Sequence, residues 1–169
     1  MRIVALAVLV LATAGWTSFQ SVRYHYRVSY PSNWHRASRS LTPHLADPHE
    51  ILTVGTGRLP VGGPRCAQVP VSALEAVGPT GALVSIQERA PATADGGFPR
   101  RPARFGFRAE RLEISACLAS RERPLVEMVP FTDHARHFYA LVALGRAATK
   151  QTRDEALRVL DSLRFSSTP

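Results

Sequence analysis

The sequence predicts an α+β domain in which a largely antiparallel β-sheet is flanked by helices. Three observations support this prediction. Apolar and polar residues alternate in several short segments, which is the pattern of half-buried strands. Two of these segments are separated by a short turn, and strands joined in this way are antiparallel. Two other segments carry helix-start patterns, and the one near the end of the chain has a broad apolar face.

The N-terminal segment has the composition of a secretory signal peptide. Arg2 supplies a positive charge, Ile3–Leu11 is an unbroken apolar run, and Ala12–Ala14 has the small-residue pattern of a cleavage site. The uncharged run from Ile3 to Trp16 is shorter than the roughly 17–25 residues that a membrane span needs. We therefore predict a signal peptide at residues 1–14 and a single exported domain at 15–169, with no transmembrane segment after cleavage. An uncleaved anchor is the alternative.

The first predicted strand runs from Val22 to Tyr30. Its even-numbered residues are apolar or aromatic and its odd-numbered residues are polar, so one face should lie on the core. Pro31 cannot donate a ladder hydrogen bond and should end the strand. Ser32-Asn33 favours a turn. Trp34 is then expected to be buried at the end of the sheet, and an exposed aromatic ligand patch is the alternative.

The other elements follow from the same criteria. Capping-box sequences at Ser72–Glu75 and Thr152–Glu155 predict helix starts. The second helix carries an apolar arc of about 160° and should lie on the sheet. A change of apolar phase within the strand-like segment Arg104–Leu118 predicts a bulge or turn near Glu110-Arg111. The remaining predicted strands are Ile51–Gly55, Ala82–Glu88, Leu125–Phe131 and Phe138–Leu144. The last two should form a hairpin, and its second arm should be a central strand of the sheet.

The two ends of this pattern resemble a known fold. The early strand closes in SYPSNW and the final helix closes in LRVLDSLRF. Both segments resemble the ends of chains that have the α/β/α sandwich fold. This fold is shared by the photosystem PsbP proteins and the Mog-type Ran-binding proteins, and small secreted bacterial proteins carry the same ends. The resemblance implies an antiparallel sheet between helices and no catalytic motif. No PsbP metal-binding residue or Ran-contacting residue can be matched to this chain, so none is carried over.

Cys66 and Cys117 are the two cysteines of the chain. An even pair in an oxidising compartment predicts a disulfide. One free reactive thiol is the alternative.

The charge of the chain is strongly positive and almost entirely arginine. The formal net charge is +8, and Lys150 is the one lysine among 21 basic residues. The densest basic segment holds Arg100, Arg101 and Arg104, and guanidinium groups pair well with phosphate or carboxylate. This segment is therefore the predicted anion-binding site, with a solvated loop as the alternative. An exported protein is a poor match for nucleic acid, so we expect an anionic envelope polymer or a protein as the partner.

The sequence lacks the motifs of the common catalytic sites. Nucleotide-binding, serine-hydrolase and zinc-protease patterns are all missing. Turn propensity and solvated loops explain the side chains that could bind a metal, so we predict no catalytic residue, no metal and no cofactor. Those side chains form two sets, Asp133, His134 and His137 in the hairpin, and His44, His49 and Glu50 in a proline-bounded loop.

The resulting functional prediction is a secreted, non-enzymatic domain that binds an envelope component or a protein partner. An unrecognised hydrolase or metal-dependent enzyme is one alternative, and a structural or stress-related envelope protein is another. A groove that gathers histidines with carboxylates would favour the enzyme. An arginine surface without such a cluster would favour binding.

The predicted disulfide can be tested by its effect on stability. Removing a native disulfide from a small secreted domain costs about 2–5 kcal/mol, so Cys117→Ser should lower the free energy of unfolding by that amount. Urea denaturation would measure it. The reduced wild-type protein is the matched control and should unfold with the variant. Two free thiols in the native exported protein would contradict the pairing.

Overall fold

A computed structural model of the chain describes residues 15–91, 96–108 and 124–166. The described residues form strands and two helices in the following order: β1 Trp16–Ser21, β2 Tyr26–Pro31, β3 His35–Arg36, β4 His49–Gly55, α1 Val71–Glu75, β5 Ala82–Arg89, β6 Leu125–Asp133, β7 Arg136–Leu144, α2 Lys150–Ser162 and β8 Arg164–Phe165. In these ranges no helix combines the length and the hydropathy that crossing a bilayer requires.

The strands form two antiparallel sheets. One sheet has the order β1-β2-β8 and the other has the order β3-β4-β5-β7-β6. Every ladder between the named strands is antiparallel. The predicted α+β class with a largely antiparallel sheet is confirmed.

The central strands of the five-stranded sheet are buried on both faces. Val84 on β5 and Val142 on β7 belong to one hydrophobic cluster, which also contains β2 and α2 residues. Their neighbours Leu83 and Leu141 belong to a second cluster, which contains α1 residues. Because successive residues of a strand point to opposite faces, this division means that both faces of β5 and β7 are covered. The prediction that the second arm of the hairpin is a central strand is confirmed.

The hairpin itself lies where the sequence predicts it. Strands β6 and β7 pair in register from Leu125 to Asp133, and His134 and Ala135 form the turn between them. Both turn residues have positive φ, 50° and 58°. A two-residue turn of this kind matches the right-handed twist of the two strands that it joins.

The predicted strand from Val22 to Tyr30 begins four residues later than expected. Residues 22–25 form the turn between β1 and β2, Val22 is 79% exposed, and His25 has a φ of 51°. The alternation in sequence continues through this turn although the backbone reverses there. β1 was not predicted, because its partly buried apolar residues Trp16 and Phe19 are three positions apart and show no period of two.

Both predicted helix starts are displaced towards the N-terminus. α1 begins at Val71 after Pro70 and has no side-chain cap, so Ser72 lies inside the helix. α2 begins at Lys150, and the Thr149 hydroxyl accepts a hydrogen bond from the Thr152 backbone N–H at 3.1 Å. A threonine three residues upstream thus caps one of the free N–H groups of the first turn, and the box predicted at Thr152 is not the cap.

The strand-like segment that was predicted to start at Arg104 is not a strand as far as it is described. Residues 105–108 have no regular structure, and Phe105 is buried with its ring centroid 5.4 Å from that of Phe131. The predicted bulge near Glu110-Arg111 lies outside the described residues. Burial of the Phe105 side chain therefore explains the apolar position without a strand.

Trp34 is buried, as predicted. Its side chain is 5% exposed and belongs to the same cluster as Tyr30 and Val28. Its backbone N–H donates to the Pro31 carbonyl at 2.9 Å and closes the turn after β2. The tryptophan is a core residue at the end of the strand, not an exposed aromatic patch.

Truncating this side chain should destabilise the domain. Removing a buried aromatic side chain costs about 3–5 kcal/mol, so Trp34→Ala should lower the melting temperature strongly or prevent folding. Trp16→Ala is the matched control, because Trp16 is only partly buried. Thermal unfolding of both variants measures the difference. A Trp34→Ala protein that melts with the wild type would contradict the burial.

Candidate anion-binding cleft

A polar cleft opens where the β1–β2 turn faces the segment that joins β3 to β4. Its volume is about 410 Å³. Arg23 comes from the β1–β2 turn, whereas Arg36 and Arg39 come from the end of β3 and the segment after it. All three arginines are exposed. The fold thus brings three guanidinium groups to one cleft from two separate parts of the chain.

Two of these arginines lie against aromatic rings. The guanidinium carbon of Arg36 is 3.9 Å from the Phe19 ring centroid, and that of Arg23 is 5.1 Å from the Tyr24 ring centroid. Arg36 also donates from Nη1 to the Ala37 carbonyl at 3.2 Å. A guanidinium has five N–H donors, so this contact orients Arg36 and leaves most of its donors for a ligand.

Glu50 is the one carboxylate among the described residues that line the cleft. It is 8% exposed, and its Oε2 accepts hydrogen bonds from the backbone N–H groups of Leu41 and Thr42 at 2.7 and 3.2 Å. Its Oε1 accepts from the Thr53 hydroxyl at 2.6 Å. The carboxylate therefore fixes the segment beside Arg39 instead of pairing with an arginine.

Tyr26 contributes a neutral wall. Its hydroxyl donates to the Ile51 carbonyl at 2.9 Å. Burial raises the pKa of this phenol well above its ordinary value, so the side chain stays uncharged. Three arginines and one glutamate then give the described lining a net charge of +2. None of the three arginines forms an ion pair with a described acid.

The basic segment predicted from sequence lies elsewhere, and one of its members has a structural task. Arg101 donates to Asp133 Oδ2 at 3.0 Å and to the carbonyls of Leu163 and Leu160 at 2.6 and 2.9 Å. These carbonyls belong to the C-terminal end of α2, where a cation is favourable. Arg100 and Arg104 are exposed, and anion binding by the predicted set of Arg100, Arg101 and Arg104 stays a prediction.

The histidines that were considered as possible metal ligands have other partners. His44 Nε2 is 3.1 Å from the Ala67 carbonyl, whereas His49 Nε2 is 3.4 Å from Glu88 Oε2. His134 contacts Asp133. Over the ranges that the structure describes, no three His, Cys, Asp or Glu side chains lie close enough together to hold a metal.

The predicted disulfide reaches beyond the described part of the chain. Cys66 lies in the loop before α1 and is half-buried. Cys117 is outside the described residues, so their pairing stays a prediction.

Glu88 is a carboxylate that contacts a histidine, His49, and its protonation state bears on the enzyme alternative. Arg136 donates to it twice, from Nε at 2.6 Å and from Nη2 at 2.8 Å. Burial favours the neutral acid, but the hydrogen bonds from Arg136 and His49 outweigh it and lower the pKa of Glu88 to about 2. A general acid or base works best with a pKa near the working pH, so this ion pair is structural.

Sequence reasoning missed the cleft. Arg23 and Arg36 are separated by the whole of β2, and neither lies in a dense basic run. The one sequence feature that relates to the cleft is that arginines lie on both sides of a strand that ends in a turn. That signal becomes informative only when the pairing of β3 with β4 is known.

The chain matches no protein-family model, and neither a curated protein nor a solved structure shows significant similarity to it. The resemblance to the PsbP and Mog-type proteins stays a prediction.

The ion pair of Glu88 predicts a specific dependence of stability on pH. A carboxyl whose pKa is lower in the folded than in the unfolded state stabilises the fold above its unfolded pKa, and this contribution disappears as the pH falls through the folded pKa. A fall in the pKa of Glu88 from 4.5 to about 2 corresponds to on the order of 3 kcal/mol. Urea denaturation between pH 6 and about pH 2 measures this loss. The wild type should lose the contribution of ionised Glu88 to the free energy of unfolding as the pH falls. Glu88→Gln should be less stable than the wild type at pH 6 and should not show this loss.

Asp154→Asn is the matched control for this measurement. Asp154 is 55% exposed and pairs with Lys150 on the surface of α2, where an ion pair contributes little. The stability of Asp154→Asn should therefore depend on pH as that of the wild type does. Parallel curves for the wild type and Glu88→Gln would contradict the assignment.

Proposed function

We propose that the chain is an exported, non-enzymatic domain that binds an anionic component of the cell envelope in the cleft lined by Arg23, Arg36 and Arg39. One observation carries the proposal. These three arginines are exposed and form no ion pair with a described acid. Acidic side chains in the described ranges instead accept hydrogen bonds from other arginines or from backbone N–H groups of the same chain. The positive charge of the cleft is therefore left for a ligand.

Several acidic side chains bond to other groups of the same chain. Glu88 and Asp133 pair with Arg136 and Arg101. Asp161 accepts a hydrogen bond from the Phe105 backbone N–H at 2.9 Å, and Glu127 accepts one from the Arg108 backbone N–H. None of these four carboxylates lines the cleft, so the three arginines there are expected to give it a positive potential that attracts anions.

Export is supported by the sequence of residues 1–14, which has the charge, apolar run and small residues of a signal peptide. An exported location makes surface polymers and lipids of the envelope the accessible anions. An intact Met1 on the cellular product would contradict this part of the proposal.

We also propose that the fold is the α/β/α sandwich of the PsbP and Mog-type proteins. The support is the division of the core: α2 residues such as Val159 pack in one cluster with the five-stranded sheet, and α1 residues such as Leu74 pack in the other. Helices on opposite faces of an antiparallel sheet are the arrangement that the resemblance implies. An experimental structure of the mature domain would test it.

Binding to a soluble polyanion tests the proposed function. Dextran sulfate is a suitable probe, because a densely charged polymer gathers counterions that a basic surface releases. The mature wild-type domain should bind it, and more weakly as ionic strength rises. The variant Arg23→Gln/Arg36→Gln/Arg39→Gln should bind at least about tenfold more weakly, since it loses the charge-assisted hydrogen bonds of the cleft.

The matched control is Arg58→Gln/Arg65→Gln/Arg146→Gln, which removes the same number of exposed charges away from the cleft. Its affinity should stay within about threefold of the wild type, because screening weakens distant charges. Equal losses in the two variants would show that binding is spread over the whole surface. No binding by the wild type would contradict the proposed function itself.

A further inference from the structure

We infer that the cleft lined by Arg23, Arg36 and Arg39 is a site for a phosphate monoester dianion. This inference rests on the proposed function and names the ligand chemistry of the same cleft. It starts from charge. The described lining carries three arginines and one glutamate, so a ligand with two negative charges would neutralise it.

Among common biological anions, the phosphate monoester matches this charge. It carries about −1.5 to −2 at pH 7, whereas a carboxylate carries a single charge. A monoanion would leave a positive charge in the cleft without a partner. The net charge therefore favours the monoester over sugars that carry only carboxylates.

The arrangement of donors also favours phosphate. The guanidinium carbon of Arg36 lies 3.9 Å from the Phe19 ring centroid and Nη1 donates to the Ala37 carbonyl, so two contacts orient this side chain before a ligand arrives. An arginine whose direction is already set forms bidentate bonds to phosphate with little further loss of side-chain freedom. A monoester has three terminal oxygens, which is enough to engage more than one guanidinium.

The floor of the cleft favours binding without hydrolysis. Both oxygens of Glu50 already accept hydrogen bonds from the chain, including those from Leu41 and Thr53. The carboxylate is thus occupied and is not available as a general base. The cleft volume of about 410 Å³ lies within the range of small-molecule sites and leaves room for the group that carries the ester.

A matched pair of ligands tests this inference directly. Glucose 6-phosphate and glucose 6-sulfate have the same sugar and a tetrahedral ester, but at neutral pH the sulfate ester carries one charge less. Calorimetric titration of the mature domain at about pH 7.5 should give an affinity at least about tenfold higher for the phosphate. At about pH 5, below the second phosphate pKa of about 6, the difference should largely disappear.

This pH effect is assigned to the ligand because of what lines the cleft. The described titratable groups there are arginines, Tyr24, Tyr26 and Glu50, and no histidine is among them. Arginine stays charged at every working pH. A preference for phosphate that did not change between these pH values would contradict the dianion assignment.

Single variants locate the site. Arg36→Gln should lower the affinity for glucose 6-phosphate about tenfold, the loss of one charge-assisted bidentate contact. Arg58→Gln, an exposed arginine outside the cleft, should leave the affinity unchanged. Equal affinities in both variants would overturn the inference.

A lipid headgroup is the second source of the same chemistry. Vesicles that contain phosphatidic acid present a phosphate monoester, whereas phosphatidylglycerol vesicles present a diester with one charge. If only the phosphatidic acid vesicles retain the domain, and Arg36→Gln weakens this retention, the inference is supported with a lipid as the source. If the domain binds the sugar phosphate but neither kind of vesicle, the inference is supported with a soluble source. Dextran sulfate binding through the cleft with neither monoester bound overturns the inference and leaves the proposed function standing.

Discussion

The ion pair between Arg136 and Glu88 is the interaction on which the arrangement of the two sheets depends. The two residues lie on β7 and β5 of the five-stranded sheet, where Nε and Nη2 of Arg136 bond to the two carboxylate oxygens. The remaining nitrogen, Nη1, donates to the Tyr24 carbonyl at 3.0 Å, in the turn of the three-stranded sheet. The same guanidinium lies 5.1 Å from the Phe165 ring centroid, on β8. One side chain thus joins both sheets, and it fixes the turn that carries Arg23 at the edge of the cleft.

The arginines of this protein fall into two groups with different physical roles. Arg136 and Arg101 have side chains that are 13% and 15% exposed, and each donates to a carboxylate and to at least one backbone carbonyl oxygen. Such pairs offset the cost of removing charges from water only when further hydrogen bonds support them, and each of the three nitrogens of the Arg136 guanidinium donates one. Arg36 and Arg39 are exposed and lie beside a carboxylate that bonds to the backbone. The formal charge of +8 therefore includes charges that are already neutralised inside the fold and charges that face solvent in the cleft.

The sequence predicts the elements whose signals are local. The β6–β7 hairpin and the apolar face of α2 are read correctly because a period of two or 3.6 residues is a property of a single segment. The start of β2 is misread because residues 22–25 keep the alternating pattern while β1 pairs back onto β2. The cap of α2 is misread because Thr149 and Thr152 are both competent, and the choice between them depends on where the chain leaves β7. The cleft cannot be located from the sequence alone, since it depends on the position of the β1–β2 turn relative to β3.

Density of charge along a sequence is a poor guide to a binding site, and the two arginine-rich regions show why. Arg100, Arg101 and Arg104 are close in sequence, but Arg101 points to the carbonyls at the end of α2. Arg23 and Arg36 are far apart in sequence and meet at one cleft, each against an aromatic ring. Ordering a free arginine on binding costs up to about 2 kcal/mol of side-chain entropy, and ring stacking removes part of that cost in advance. A site that binds one anion selectively is therefore expected where exposed guanidinium groups are already held, which is why we propose the cleft between the two sheets as that site.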